Sequence, residues 1–165
     1  MATGKSRIGR ALALHLNRAF YDTDEMIETR AGKPISRIFA EDGEDTFRLL
    51  EAECVADAIE RPDVVIALGG GAITRAENRD LIGAAGATLI CIEADVETIL
   101  ERISRRNDRP LLAGLSRQEK REKIAAMLKE RAPHYATAAI TVHSSEVSQA
   151  DDLARDIAAR LGVAS

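Results

Sequence analysis

From Ser6 to about Asn17 the apolar positions Ile8, Ala11 and Leu12 fall at helical spacing. The run that follows, Ala19-Phe20-Tyr21, is short and apolar and ends at Asp22. This change of period repeats along the chain. Helices are predicted over residues 25–31, closed by Gly32, and over 35–40 and 44–59, separated by Gly43. Val64-Val65-Ile66-Ala67-Leu68 is a continuous β-branched run that stops at Gly69-Gly70-Gly71. A helix over 76–84, a strand over 88–92 and a helix begun by Asp95 and reaching Ile103 come next. Residues 107–116 are polar, carry Pro110 and Gly114, and predict a loop. A helix from Arg117 into the 130s, a strand over 140–142 and a helix over 150–161 complete the pattern.

Short, continuous apolar strands alternating with helices predict an α/β protein whose parallel sheet is covered on both faces. Ligands of such sheets bind beyond the carboxyl ends of the strands. Asp22-Thr23-Asp24 and Gly69-Gly70-Gly71 both stand there. With 165 residues and no internal repeat or linker, residues 1–165 are expected to form a single domain. Residues 25–59 and 107–116 interrupt the alternation and are candidates for handling substrate.

Composition narrows the function. Only 3% of the residues are aromatic and the net charge is −4, which argues against nucleic-acid binding by stacking or by a basic surface. No apolar run approaches the ~18 residues of a membrane span and no signal-peptide pattern opens the chain, so no membrane partner and a cytoplasmic location are expected. Cys54 and Cys91 are far apart in apolar surroundings and are expected to be buried thiols rather than a disulfide.

Candidate chemistry lies in short motifs, each with a plain structural alternative. Gly4-Lys5-Ser6 is the back half of a phosphate-binding loop: amides at a helix N-terminus bind an anion, the lysine neutralises phosphate charge, and the serine hydroxyl suits Mg²⁺. The alternative is a disordered N-terminal tail. Asp22 and Asp24 place two carboxylates at i and i+2, fit for Mg²⁺ or for accepting a hydroxyl proton, or else for capping the next helix. Three successive glycines at 69–71 cost backbone entropy, which close approach of a ligand would explain. Arg48 could meet an anion, or simply pair with Glu44 or Glu51 at helical spacing. Arg109, in the polar loop, could close over phosphates, and Arg131 carries a similar ambiguity. His15, His134 and His143 lack ligand spacing, and no Cys/His metal cluster is present.

Taken in order and spacing, six segments resemble the shikimate kinase family: G-K-S at 4–6, F-Y-D-T-D at 20–24, I-F-A-E-D-G-E-D-T-F-R at 38–48, L-G-G-G-A at 68–72, R-P-L-L-A-G at 109–114 and K-E-R-A-P-H-Y at 129–135. The resemblance covers nearly the whole chain. It implies a three-layer P-loop kinase fold with a parallel sheet of order 2-3-1-4-5, a substrate-binding region at 25–59 and a lid at 104–116. It implies transfer of the γ-phosphoryl group of ATP to the 3-hydroxyl of shikimate, with Mg²⁺, in aromatic amino-acid biosynthesis. A monomer is expected. On this match the nucleotide is held by Ala2, Thr3, Gly4, Lys5, Ser6, Arg7, Arg102 and Arg109, with Arg102 against adenine, and Mg²⁺ by Ser6 and Asp22. Shikimate is held by Asp24, Arg48, Gly69, Gly70, Gly71 and Arg131. Lys5, Asp24 and Arg109 are the expected catalytic residues, with Asp24 receiving the hydroxyl proton.

The departures from the family pattern matter as well. The family's first strand and first loop glycine have no counterpart, Ala2 stands where a loop glycine is common, and Arg7 where a second Ser/Thr is common. An empty central slot would cost more than a domain's reserve of roughly 5–15 kcal/mol, so the natural start is expected about ten residues or more upstream. Two rival functions stand beside the main one. Another small-molecule P-loop kinase, of gluconate type, would also bind a carboxylate. A non-catalytic domain of the same fold would keep ligand contacts without turnover.

Overall fold

A computed structural model describes residues 2–104, 112 and 114–162. Helix α1 (Lys5–His15) starts at Gly4, whose φ of 95° favours glycine. It buries Ile8, Leu12 and Ala13, and Ile8 and Leu12 pack with Ala154 and Ile157 of α8 (Ala150–Arg160). Gly9 admits the Phe20 ring, since a Cβ there would lie 2.7 Å from Phe20 Cε2. Strand β1 (Ala19–Asp22) leads into α2 (Thr23–Ala31), α3 (Ile35–Glu41) and α4 (Gly43–Ile59). These three helices share a core of Ile27, Ile38, Phe47 and Cys54.

Strand β2 (Val64–Ala67) pairs in parallel with β1, Ala19 opposite Val64. After the glycines come a short 3₁₀ turn (Ala72–Thr74), α5 (Ala76–Ala84), and β3 (Ile90–Glu93), which pairs in parallel with β4 (Ile140–His143). Helices α6 (Val96–Ser104) and α7 (Arg117–Tyr135) lie between β3 and β4 in the chain. A core of Ile99, Ile103, Leu112 and Ile124 joins them. Ser116 starts α7 with a reciprocal capping box to Glu119.

The α/β architecture with parallel strands agrees with the pattern, with small shifts at the boundaries. The strand expected over 88–92 runs from Ile90 to Glu93, and the one over 64–68 ends at Ala67. The described strands form two two-stranded sheets rather than one. They are the pairs 2-3 and 4-5 of the expected order, and strand 1 of that order belongs between β2 and β3. An apolar cleft of about 630 Å³ lies there, walled by Val64–Ala67, Ile90, Ile92 and, from the helices, Ile8, Leu12, Ile82 and Ile157. Both cysteines are buried and unpaired, and burial pushes both thiols up from their ordinary pKa.

Candidate active site

The carboxyl ends of β1, β2 and β4 open onto one cleft of about 510 Å³. One end of it is the start of α1. Ala2, Gly4, Lys5, Ser6 and Arg7 line it. The left-handed turn at Gly4 presents the amides of Ser6 and Arg7, which precede the first intrahelical bond, Ile8 N–H to Gly4 O. Thr3 does not line the cleft. It is buried, and its Oγ1 has no hydrogen-bond partner among the described residues.

Ser6 Oγ donates to Asp22 Oδ2 at 2.5 Å. The other oxygen of Asp22 accepts the Asp24 N–H at 2.9 Å, which caps α2. One oxygen of Asp22 thus caps a helix, and the other faces Ser6. Ser6 and Asp22 offer hard oxygen donors, and no group of three or more His, Cys, Asp or Glu residues that could hold a metal occurs among the described residues. One or two protein oxygens, with phosphate and water completing the shell, is the donor set Mg²⁺ accepts. The residues fit that ion.

At the other end Arg48 and Glu51, one turn apart on α4, meet the triple-glycine turn. Arg48 Nη1 donates to Glu51 Oε2 at 2.8 Å, and its Nη2 donates to Glu44 Oε1 at 3.0 Å. Both helical ion pairs form, and Arg48 still lines the cleft. Burial opposes the Arg48 charge, but Glu51 and Glu44 more than offset it and raise its pKa. Burial pushes the Glu51 carboxyl up, against the pull of Arg48, and neighbouring Asp24 adds to the rise.

The glycines make room for these charges. A Cβ at Gly69 would lie 2.7 Å from Glu51 Oε1 and 3.0 Å from Asp24 Oδ1, and one at Gly71 would lie 2.8 Å from Arg48 Nη1. Buried Thr23 fixes the turn to the end of β1: its hydroxyl accepts the Gly69 N–H at 2.9 Å and donates to the Ala67 carbonyl at 3.3 Å. From α7, Arg131 Nη1 donates to the Gly70 carbonyl at 3.1 Å.

Arg102, at the end of α6, also lines the cleft. It donates to Ala2 O at 3.3 Å, Ser144 Oγ at 3.1 Å, Ser145 O at 2.7 Å and Glu146 Oε1 at 3.1 Å. It thereby ties the loop after β4 to the start of the chain. Arg109 lies outside the described residues, as does most of the expected lid.

The structure thus brings Ala2, Gly4, Lys5, Ser6, Arg7, Asp22, Asp24, Arg48, Gly69, Gly70, Gly71, Arg102 and Arg131 to one cleft. Sequence reasoning named Glu51 only as an ion-pair partner, and passed over Thr23 and the serines after β4. The i,i+3 spacing from Arg48 was a signal for Glu51. Nothing local marks Ser144 or Ser145, because their partner Arg102 stands more than forty residues away.

A family model described as shikimate kinase matches residues 1–162. The shikimate kinase of Chlorobium luteolum is 40% identical over 163 residues, covering 94% of this chain and 80% of that protein. That of Mycobacterium avium is 45% identical over 137 residues, covering 83% and 75%. The solved structure of shikimate kinase from Acinetobacter baumannii in complex with shikimate superposes with a TM-score of 0.89 at 35% identity, over 98% of this chain and 89% of that one. The chain belongs to the shikimate kinase family.

Proposed function

We infer that this chain is an ATP-dependent shikimate kinase, transferring the γ-phosphoryl group of ATP to the 3-hydroxyl of shikimate. One observation carries the assignment of roles. A helix N-terminus built for phosphate, two carboxylates, and two guanidinium groups set to grip a carboxylate all line a single cleft. Its length separates the ends of the reaction: ATP at α1, the acceptor at Arg48, Arg131 and the glycines.

The amides at the start of α1 and the Lys5 ammonium hold the phosphates. Arg102 flanks the adenine, and Arg109 is the expected lid arginine. Mg²⁺ would be held by Ser6 and Asp22, and when bound it supplies charge neutralisation at the phosphates. Arg48 and Arg131 take the shikimate carboxylate, with Glu51 holding Arg48 in its rotamer. Asp24 orients the 3-hydroxyl and accepts its proton as the oxygen bonds to the γ-phosphorus and the bond to ADP breaks. The catalytic gain is mainly alignment and charge stabilisation. No described helix is long and apolar enough to cross a membrane, and a cytoplasmic monomer is the reading that accompanies this activity.

The test is ADP release from ATP and Mg²⁺ with shikimate, with gluconate, and with no acceptor. Release stimulated by shikimate alone is the expected result. Stimulation by gluconate instead would assign a different acceptor, and no stimulation by either would leave a binding domain without turnover.

A further inference from the structure

Helix α7 holds the triple-glycine turn at one acceptor. Tyr135 Oη donates to the Gly70 carbonyl at 2.8 Å, and Arg131 Nη1 donates to the same oxygen at 3.1 Å. The two residues stand four apart on the last turns of α7 and so share a face. A carbonyl oxygen has two lone pairs and accepts both.

The other two glycine carbonyls are used within the turn: Gly69 O accepts from the Ala72 N–H, and Gly71 O from the backbone and hydroxyl of Thr74. The Gly70 carbonyl is held from outside. Glycine restrains its own backbone less than any other residue, so the Gly70–Gly71 peptide depends on these donors for its orientation. In a planar trans peptide the N–H points opposite to the C=O. Fixing the Gly70 carbonyl therefore fixes the direction of the Gly71 N–H, on a segment that lines the acceptor end of the cleft.

The two donors are not equivalent once substrate arrives. On the functional reading above, on which this inference rests, Arg131 turns to the shikimate carboxylate. A carboxylate adds an opposite charge and a second acceptor oxygen that the fork-shaped guanidinium can meet with two bonds, so the guanidinium favours the carboxylate over Gly70 O. The Tyr135 phenol carries no charge to be drawn away. We propose that Tyr135 is a positioning residue for the acceptor: its hydroxyl keeps the Gly70–Gly71 peptide in place while Arg131 engages the substrate.

The test is Tyr135→Phe, which removes one hydroxyl and keeps the ring. Steady-state kinetics, thermal unfolding and the Gly71 amide resonance are compared with the unsubstituted chain. The KM for shikimate is expected to rise about three- to tenfold, the worth of one hydrogen bond, with kcat and the KM for ATP within about twofold. The Gly71 amide is expected to shift more on substitution in the shikimate-bound protein than in the free one, where Arg131 still holds the carbonyl. A parallel rise in both KM values, a lower melting temperature with unchanged shikimate KM, or an equal Gly71 shift in both states would overturn the proposal and make Tyr135 a packing tie. Absence of shikimate-stimulated ADP release from the unsubstituted chain would overturn the functional reading and this inference with it. A failure confined to the variant leaves the functional reading standing.

Discussion

Glu51 lies 2.8 Å from Arg48 and only 1% of its side chain is exposed, whereas the Arg48 side chain is 19% exposed. The buried carboxylate braces the guanidinium, and both residues border the cleft. Such an arrangement positions a charge at a cost, because the buried carboxyl ionises less readily than a free one.

Glu51→Gln tests that cost. The folded-state pKa of Glu51 lies above its ordinary value of 4.5. In the window from there up to the folded pKa the unfolded chain has lost this proton and the folded chain keeps it, so Glu51 makes stability fall as pH rises. The amide has no proton to lose. Denaturant unfolding across pH is expected to show the variant gaining on the native protein through that window, with the difference constant above it. The KM for shikimate should rise roughly tenfold as Arg48 loses its charged brace. A stability difference independent of pH would show that Glu51 titrates normally.

Gly69→Ala should abolish acceptor use while sparing the nucleotide. Its new Cβ meets a buried carboxylate at 2.7 Å, which has little room to move. A loss of about 100-fold or more in kcat/KM for shikimate is expected, the scale of a roughly 1 Å misplacement at a reacting centre. ATP binding measured by calorimetry should stay within about threefold, less than ~0.7 kcal/mol.

Asp22→Asn separates capping from metal binding. Asn caps a helix about as well as Asp, so the melting temperature should change little, with less than about 0.5 kcal/mol of stability lost. The amide brings no charge to a cation, and the Mg²⁺ concentration needed for half-maximal activity should rise at least about tenfold, or ~1.4 kcal/mol. An unchanged Mg²⁺ requirement would remove Asp22 from the metal site.

Arg102→Ala removes a side chain with four partners. The KM for ATP is expected to rise about tenfold with the KM for shikimate unchanged. Stability should fall by about 1–3 kcal/mol, because Glu146 and the Ser145 carbonyl lose their charged donor. Kinetics with each substrate varied in turn, alongside thermal unfolding, read both effects.

Much of the site was legible before the fold was known. Gly4-Lys5-Ser6 and Asp22-Thr23-Asp24 are contiguous, and a short motif carries its own local geometry: a positive φ at Gly4, a capped helix after Asp22. The roles of Arg48 and Arg131 came with the family resemblance, because an arginine on a helix is by itself an ordinary surface residue. Glu51 was visible only as a neighbour at i,i+3. That its side chain is buried depends on Gly69 coming against it from β2, and no local pattern carries that contact. Tyr135 carries no local sign of a role, since its partner Gly70 is 65 residues away.

By itself the sequence determined where the α-helices and strands form, because period, caps and breakers act over a few residues: α5 and β1 fall on the predicted residues and the other helices and strands shift only at their ends, whereas the 3₁₀ turn at Ala72–Thr74 was not predicted. Only the tertiary structure decided which charges meet. It placed Arg48 over Glu51, Ser6 against Asp22 and two α7 donors on one glycine carbonyl. It also divided the described strands into two pairs with an apolar cleft between them. Pairing, burial and the pKa shifts that follow arise from contacts between segments far apart in the chain, and their strength depends on how much water the whole fold excludes.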